Sequence, residues 1–106
     1  MSEKLFYSPQ AQLDLEEIYD YFAGELGDSG KGRRVVSDVL AAAEGIPARA
    51  KRYPLVGPLP FTNDVYRFMP VKDYLLFFRV VDDTVYVDRI LYKRRDFSSL
   101  LGLPHS

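Results

Sequence analysis

The sequence contains no cysteine and no tryptophan, and it has one histidine and two methionines among its 106 residues. Without cysteine the chain can form neither a disulfide nor a thiolate metal site, which favours a reducing cytoplasm as its location. Long apolar runs are also missing, since none approaches the ~20 residues that a membrane-spanning helix needs. The first ten residues lack the apolar core of a signal peptide, so we expect no secretion.

Basic and acidic residues nearly balance over the whole chain, but not within each half of it. The net charge is −1, which argues against strong non-specific binding to nucleic acid. Residues 1–48 carry four basic and nine acidic side chains, a net charge of −5, whereas residues 49–106 carry ten basic and six acidic ones, a net charge of +4. The length predicts one domain, residues 1–106, with an acidic first half and a basic second half.

The most informative stretch is Val65 to Phe97, which predicts three consecutive antiparallel strands followed by a short basic end. Tyr74 to Val81 is apolar and rich in aromatic and β-branched residues, as a central strand requires. Asp82-Asp83 then suits a two-residue turn, and Thr84 to Tyr92 alternates in the manner of a strand. With Val65 to Met69 as the first strand, the segment predicts a meander.

The hairpin register assigns the side chains to two faces. With Asp82-Asp83 as the loop, one face is nearly all apolar and contains the pairs Val80–Val85, Phe78–Val87, Leu76–Arg89 and Tyr74–Leu91. The opposite face is mixed and contains Leu75, Phe77, Arg79, Val81, Thr84, Tyr86, Asp88 and Ile90. We expect helices to cover the apolar face and the mixed face to be exposed for a partner.

The charged residues of the meander have simple structural interpretations. Arg79 and Asp88 share the mixed face, where we expect a cross-strand ion pair in preference to a direct contact with the target. Arg89 falls on the apolar face, so we expect its guanidinium to reach solvent at the edge of the sheet. The face of Arg67 stays open, because a two-residue loop at Val71-Lys72 places it with the apolar face and a three-residue loop places it with the mixed face.

The first half of the chain predicts a strand and two helices. Lys4 to Tyr7 suits an edge strand, and Ser8-Pro9 is typical of a helix start, with serine as the N-cap and proline at the first helical position. Apolar residues follow at helical spacing, namely Ala11, Leu15, Ile18, Tyr19, Phe22 and Leu26, whereas the acids Asp14, Glu16, Glu17 and Asp20 lie off this stripe. Gly27 to Gly30 ends the first helix, and a second begins near Lys31 and ends around Gly45 to Pro47. Residues 47–62 are expected to be irregular.

The fold class that follows is α+β, with an N-terminal strand and an antiparallel helix hairpin packed on a twisted antiparallel sheet of about four strands. Three blocks in this order resemble the RelE/ParE superfamily, the toxin components of bacterial type II toxin–antitoxin systems. They are SPQAQLDLEEIYDYF, VYRFMPVKDYLLFFRV and VDRILYKRRD. The last two are more similar to the ParE branch, whose members are associated with growth inhibition and plasmid stabilization.

This resemblance implies a partner and two alternative activities. A cognate antitoxin, whose C-terminal segment wraps the toxin, would hold it inactive. ParE-type toxins are associated with inhibition of DNA gyrase by binding, whereas RelE-type toxins cleave mRNA on the ribosome; neither implies a metal or a cofactor. A third possibility is a decayed relative that still binds its antitoxin but has lost its target.

The chain carries only part of the residue set of RelE-type nucleases. The candidates for catalysis are Arg67, Arg95 and Tyr92. The resemblance places Arg67 and Arg95 at basic positions of RelE-type enzymes, and Tyr92 where many ParE-like chains have histidine. Leu75 and Met69, however, stand where further basic residues are expected. Tyrosine cannot serve as a base near neutral pH at its ordinary pKa of about 10. The only histidine, His105, lies in the C-terminal tail, where a surface position is favoured over a catalytic one. The ParE-type function is therefore preferred, and a catalytic role is left uncertain.

Two binding surfaces are predicted. For the target we single out the basic end of the last strand and the tail through Ser106, with the residues Lys93, Arg94, Arg95 and Phe97. A solvated chain end explains these three cations equally well. For the antitoxin we single out the mixed face, with the residues Leu75, Phe77, Arg79, Tyr86 and Asp88.

Overall fold

The computed structural model describes residues 4–56 and 66–93, which form a four-stranded sheet with two helices on one face. The elements are β1 (Lys4–Tyr7), α1 (Pro9–Asp20), α2 (Ser29–Glu44), β2 (Arg67–Val71), β3 (Tyr74–Val81) and β4 (Thr84–Tyr92). The strand order is β1-β4-β3-β2. The predicted meander and the α+β class are confirmed. The first strand joins β4 in parallel, so the sheet is mixed and not wholly antiparallel.

The predicted helix hairpin is confirmed, and its ends follow from local capping. The hydroxyl of Ser8 accepts a hydrogen bond from the backbone N–H of Ala11 at 3.0 Å, and Pro9 is the first residue of α1. A π-helical turn, Tyr21–Glu25, extends the helix beyond Asp20. The second helix begins at Ser29, two residues before the expected start near Lys31, because the carboxylate of Asp28 caps it.

Gly32 sets the distance between the two helices. A Cβ at this position would lie 3.1 Å from Cδ1 of Tyr19 and 3.2 Å from Cβ of Phe22. These contacts are tighter than ordinary van der Waals contacts, so only glycine fits without a shift of α1. The close approach at Gly32 keeps the hairpin compact where it covers the sheet.

The helices cover the face of the sheet that the sequence predicts to be apolar. Phe78 is fully buried, and Val80 packs against the same cluster, as expected. The largest fully buried side chains of this helix-side core are Phe78, Ile46, Leu76, Val39, Val85 and Val87. Burial of each such side chain contributes about 1.5–3 kcal/mol.

A β-bulge changes the predicted register of the β3–β4 hairpin. The pairs closest to the turn, Val80–Val85 and Phe78–Val87, are confirmed. The predicted pairs Leu76–Arg89 and Tyr74–Leu91 are wrong, because the register shifts between Phe77 and Phe78 and passes over Asp88. Beyond the bulge Leu76 pairs with Ile90, and Tyr74 pairs with Tyr92.

The bulge moves two side chains to faces opposite to those predicted. Ile90 belongs to the core beneath the helices, and it is not part of the mixed face. Leu91 instead packs with Phe77 on the other side of the sheet. A single extra residue inverts the alternation of every residue that follows it.

Asp14 is the buried charge of the helix-side core, and its burial contradicts two expectations. It is 3% exposed although it lies off the apolar stripe of α1. Its carboxylate accepts hydrogen bonds from Nε and Nη2 of Arg89, at 2.9 and 3.1 Å, and from the backbone N–H of Ile90 at 2.9 Å. Arg89 therefore ends in a buried ion pair, and the expectation that it reaches solvent at the sheet edge is wrong.

Replacing Asp14 by alanine should lower the free energy of unfolding by about 3 kcal/mol or more, because Arg89 and the N–H of Ile90 would lose their acceptor in a largely buried site. Asp14→Asn keeps an acceptor oxygen and should cost less, about 1–3 kcal/mol. Urea denaturation measures both changes. Asp20→Ala, which removes an exposed acid from the same helix, is the control and should stay within about 0.5 kcal/mol of the parent.

Gly32→Ala should lower the free energy of unfolding by about 1–3 kcal/mol, because the new methyl group would press on Tyr19 and Phe22. Gly24→Ala is the matched change, since no atom lies within 4 Å of the added methyl group. That variant should be as stable as the parent or gain up to about 1 kcal/mol from helix propensity. Equal thermal stability of the two variants would contradict the close approach at Gly32.

Candidate functional site

The candidate partner-binding site is the sheet face opposite the helices, which we call the distal face. It carries the five residues predicted to bind an antitoxin, Leu75, Phe77, Arg79, Tyr86 and Asp88, together with Phe6 of β1. Phe6 pairs with Tyr86 in the parallel ladder, so its side chain joins the same face. The ladder thus extends the predicted site onto β1.

A cation and two aromatic rings form a continuous row across the distal face. The rings of Phe6 and Tyr86 stack with centroids 5.8 Å apart, and the guanidinium of Arg79 lies 4.8 Å from the centroid of Tyr86. Arg79 is also paired with Asp88, as predicted, with 2.8 Å between Nε and Oδ2. The hydroxyl of Tyr66 donates to the same oxygen at 2.7 Å. The row is therefore held in one geometry by stacking, a cation–π contact and charge-assisted hydrogen bonds.

The distal face is only partly exposed. Phe77 is 3% exposed and packs in a second cluster with Leu91, Phe68 and Val56, so the expectation that it lies on an exposed face is wrong. In contrast, Phe6 is 53% exposed. Among the described residues, Phe6 on β1 is therefore the most exposed apolar side chain of the distal face.

The cover over Phe77 comes from a segment that the sequence predicts to be irregular. The backbone N–H of Val56 donates to the carbonyl of Tyr66 at 2.8 Å, and that of Phe68 donates to the carbonyl of Pro54 at 3.1 Å. These bonds hold residues 54–56 along the outer edge of β2. The sequence does not predict this short pairing, because residues 54–56 begin with a proline and show no alternation of apolar and polar residues.

Arg67 lies on the helix side of the sheet, which answers the question that the sequence leaves open. The β2–β3 loop has two residues, Lys72 and Asp73, so that Arg67 pairs with Phe78. Its Nη1 donates to the carbonyl oxygens of Tyr53 at 2.7 Å and of Lys51 at 3.3 Å. The guanidinium thus satisfies backbone acceptors of the chain itself.

The residues of the RelE-type set are not brought together among the described residues. Arg67 pairs with Phe78, the fifth residue of β3, whereas Tyr92 pairs with Tyr74, its first residue. Four residues of strand separate these positions, which is about 13 Å. Met69 is 6% exposed in the core, and Arg95 lies outside the described residues.

Of the predicted target-binding residues, the structure describes Lys93. It is exposed at the end of β4, where its backbone N–H donates to the carbonyl of Asp73 at 2.8 Å. Arg94, Arg95 and Phe97 lie outside the described residues, as do His105 and the rest of the tail. Their predicted roles stay predictions.

A cleft that the sequence does not signal lies between the end of α1 and the β2–β3 turn. Its volume is about 700 Å³, and Tyr21, Leu26, Tyr74 and Tyr92 are among its lining residues. Burial, followed by the nearby charge of Asp73, raises the pKa of Tyr74 above its ordinary value. No cluster of acids or histidines suited to a metal ion occurs within the part of the chain that the structure describes.

The raised pKa of Tyr74 predicts a loss of stability in alkaline solution. Above pH 10, the ordinary pKa, the unfolded chain ionises this hydroxyl more readily than the folded chain, so folding weakens as the pH rises through the folded pKa. Tyr74→Phe should therefore lose less stability than the parent between about pH 9.5 and 11. Urea midpoints across that range measure the difference, with each protein compared with itself at pH 7. Parallel losses in the two proteins would contradict the shift.

Solved structures with a similar fold come from toxin–antitoxin systems. A structure of the chromosomal ParDE TA system from P. aeruginosa aligns with a TM-score of 0.68 and 20% identity, over 85% of this chain and 95% of that one. The archaeal RelE-RelB complex from Pyrococcus horikoshii OT3 aligns with a TM-score of 0.51 and 13% identity, over 90% and 99%. At these identities the likeness shows the fold, which is the expected RelE/ParE-like one.

The sequence itself matches one family model, and no curated protein matches it. No helix within residues 4–56 and 66–93 is long and apolar enough to cross a membrane. The family model describes the ParE toxin of the type II toxin-antitoxin system parDE, and its match extends from residue 5 to residue 97. The chain therefore belongs to the ParE toxin family of type II toxin–antitoxin systems.

Proposed function

We propose that this toxin arrests growth by binding and inhibiting DNA gyrase in the cytoplasm, and that a cognate antitoxin neutralises it by occupying the distal face. The family match supports the ParE-type activity over the RelE-type one. The solved structures of similar fold were determined for a ParDE system and for a RelE-RelB complex, which supports an antitoxin as the partner.

The position of Arg67 is the observation that carries inhibition by binding over cleavage of RNA. Cleavage needs a base for the ribose 2′-hydroxyl, cations at the phosphate and a proton donor, all within hydrogen-bond reach of one substrate. The guanidinium of Arg67 instead donates to the carbonyls of Tyr53 and Lys51, and Arg67 pairs with β3 four residues away from the position that pairs with Tyr92. A nuclease using both residues would have to break these bonds and close a gap of about 13 Å.

The row of Phe6, Tyr86 and Arg79 supports the distal face as the antitoxin site. Exposed aromatic surface beside a fixed cation suits a segment that is both apolar and acidic, and such a segment can fold as it binds. Phe6 is 53% exposed, whereas Phe77 is 3% exposed. The proposed contact therefore shifts from the centre of the predicted face to its β1 side, with Asp88 beside Arg79 and with Leu75 farther along β3.

For the target surface we retain the basic end of β4. Lys93 is exposed there, and Arg94, Arg95 and Phe97 follow it directly in the sequence. In this proposal the cations and the tail through Ser106 contact gyrase, while the distal face is reserved for the antitoxin. Separate surfaces would allow variants that lose one interaction and keep the other.

Induction without the antitoxin, with plasmid supercoiling and translation followed in parallel, tests the proposed target. Loss of negative supercoiling before any fall in translation is expected, together with inhibition of purified gyrase by the purified toxin. Position-specific mRNA cuts in a translating extract, with supercoiling unchanged, would establish the RelE-type alternative. Harmless expression of the folded protein would indicate a toxin that has lost its target.

Arg94→Ala/Arg95→Ala, or removal of residues 97–106, should relieve growth arrest and leave the thermal unfolding transition in place. The proposed reason is the loss of cations and apolar side chains from the gyrase-binding surface. Growth after induction measures the effect, and Arg33→Ala/Arg34→Ala is the control with the same change in net charge. Full toxicity of a folded variant would exclude this surface.

Phe6→Ala and Tyr86→Ala should each weaken binding of the cognate antitoxin by about tenfold or more, because each removes an aromatic anchor from the proposed interface. Titration calorimetry with the antitoxin encoded beside the toxin measures the change. Leu13→Ala is the control, since Leu13 is 50% exposed on α1, away from the sheet. Unchanged affinity in both aromatic variants would place the antitoxin elsewhere.

A further inference from the structure

A second surface, unrelated to the distal face, is strongly cationic. After α2 the chain forms a 3-10 helix, Pro47–Arg52, whose sequence is PARAKR. Arg49, Lys51 and Arg52 are all exposed. Within the described part of the chain none of these three cations has an acid within ion-pair distance, whereas Lys72, Arg79 and Arg89 each have one. We call Arg49, Lys51 and Arg52 the basic platform.

The backbone of the basic platform is anchored by buried residues and by hydrogen bonds. Ala50 is 7% exposed and the preceding Ile46 is fully buried, so the segment is anchored in the core. Arg67 donates to the carbonyl oxygens of Lys51 and Tyr53 and thereby satisfies acceptors at the end of the 3-10 helix. Because the backbone is fixed before binding, little ordering of the main chain opposes an interaction there.

A cavity of about 820 Å³ separates the basic platform from the β3–β4 turn. Lys4 of β1 lines the same cavity and adds a fourth cation. Asp82 and Asp83 lie on the opposite wall. The platform thus presents a concentrated positive charge that two acids of the turn oppose in part.

The side chains of the basic platform suit phosphate better than a protein surface. The exposed residues of the 3-10 helix are Ala48 and the three cations, so a large apolar anchor of the kind that dominates protein interfaces is missing from this segment. Guanidinium groups bind phosphate oxygens in a bidentate manner, and clustered cations gain from the release of counterions that surround DNA. A binding surface without apolar anchors is typical of sequence-independent contact to a nucleic-acid backbone.

We propose that the basic platform, with Lys4, binds the phosphate backbone of duplex DNA without regard to sequence. The net charge of −1 and the acids of the turn make this contact weak and strongly dependent on salt. This contact would strengthen binding to a target protein that itself holds DNA. It does not depend on gyrase as the target, since the contact involves DNA alone.

Fluorescence anisotropy with a labelled 20-base-pair duplex and the full-length protein tests this site. With three or four phosphate contacts, the logarithm of the binding constant should fall with the logarithm of salt with a slope of about −3, which is about 60-fold weaker binding at 200 mM than at 50 mM KCl. Lys51→Glu/Arg52→Glu should weaken binding at 50 mM KCl by about tenfold or more and flatten the slope. Arg33→Glu/Arg34→Glu, exposed on α2 with the same change in net charge, is the control and should change affinity less than threefold.

A second pair of variants should act in the opposite direction. Asp82→Asn/Asp83→Asn removes the opposing acids and should tighten DNA binding by about threefold or more. Asparagine suits the left-handed backbone of Asp82, whose φ is 55°. Glu16→Gln/Glu17→Gln makes the same change in charge on α1 and should have a smaller effect.

The outcomes separate this site from a general effect of charge. Absence of DNA binding at 50 mM KCl, or equal losses in the two charge-reversed variants, would overturn the proposal. A poly-glutamate peptide that binds with the same pattern of variants, in place of DNA, would overturn it too and indicate a site for an acidic polypeptide. Since gyrase is absent from the assay, either result leaves the proposed inhibition of gyrase to be judged by its own experiment.

Discussion

A carboxylate buried between α1 and β4 fixes how the helices sit on the sheet. Asp14 is 3% exposed and takes three hydrogen bonds from β4, two from Arg89 and one from the backbone of Ile90. Such a pair contributes little net stability compared with an apolar contact of the same volume, but either charge alone in this site is costly. The pair therefore acts chiefly on geometry, because only one rotation of α1 satisfies both charges.

Hydrogen bonds between the N-terminal half of α1 and β4 also explain which side chains of β4 lie on each face of the sheet. The hydroxyl of Ser8 donates to the carbonyl of Asp88 at 2.9 Å, and the backbone N–H of Ser8 donates to the carbonyl of Val87 at 2.9 Å. With Asp14 bound to the next two residues, the start of α1 stabilises the bulge in β4. The bulge directs Asp88 to the distal face and Arg89 to the helices, so adjacent residues serve an exposed row and a buried pair.

How far the sequence predicts this structure depends on whether a feature is local. Ser8-Pro9, Asp28 and Asp82-Asp83 act on their neighbours, and the elements they begin or connect are found where expected, within two residues. The bulge is different, because it is stabilised by residues about 75 positions away in the sequence. Alternation within β4 cannot reveal it, so the predicted cross-strand pairs beyond Phe78 and the predicted faces of Ile90 and Leu91 were wrong.

The same distinction between local and distant contacts applies to the candidate site. The ion pair of Arg79 and Asp88 followed from the hairpin turn and is present. The burial of Phe77 could not be foreseen, because it depends on residues 54–56, which pair with β2 through two backbone bonds that no periodic pattern announces. The face of Arg67 was decided by the length of the β2–β3 loop, which has two residues and not three.

The parallel pairing of β1 with β4 has a consequence for synthesis of the protein. Lys4 pairs with Thr84, so during synthesis β1 has no strand to pair with until 80 further residues have been added. Contacts so distant in sequence form late, and the helix hairpin has no sheet to cover before then. A nascent chain thus has an interval in which a partner protein can engage it before the domain has closed.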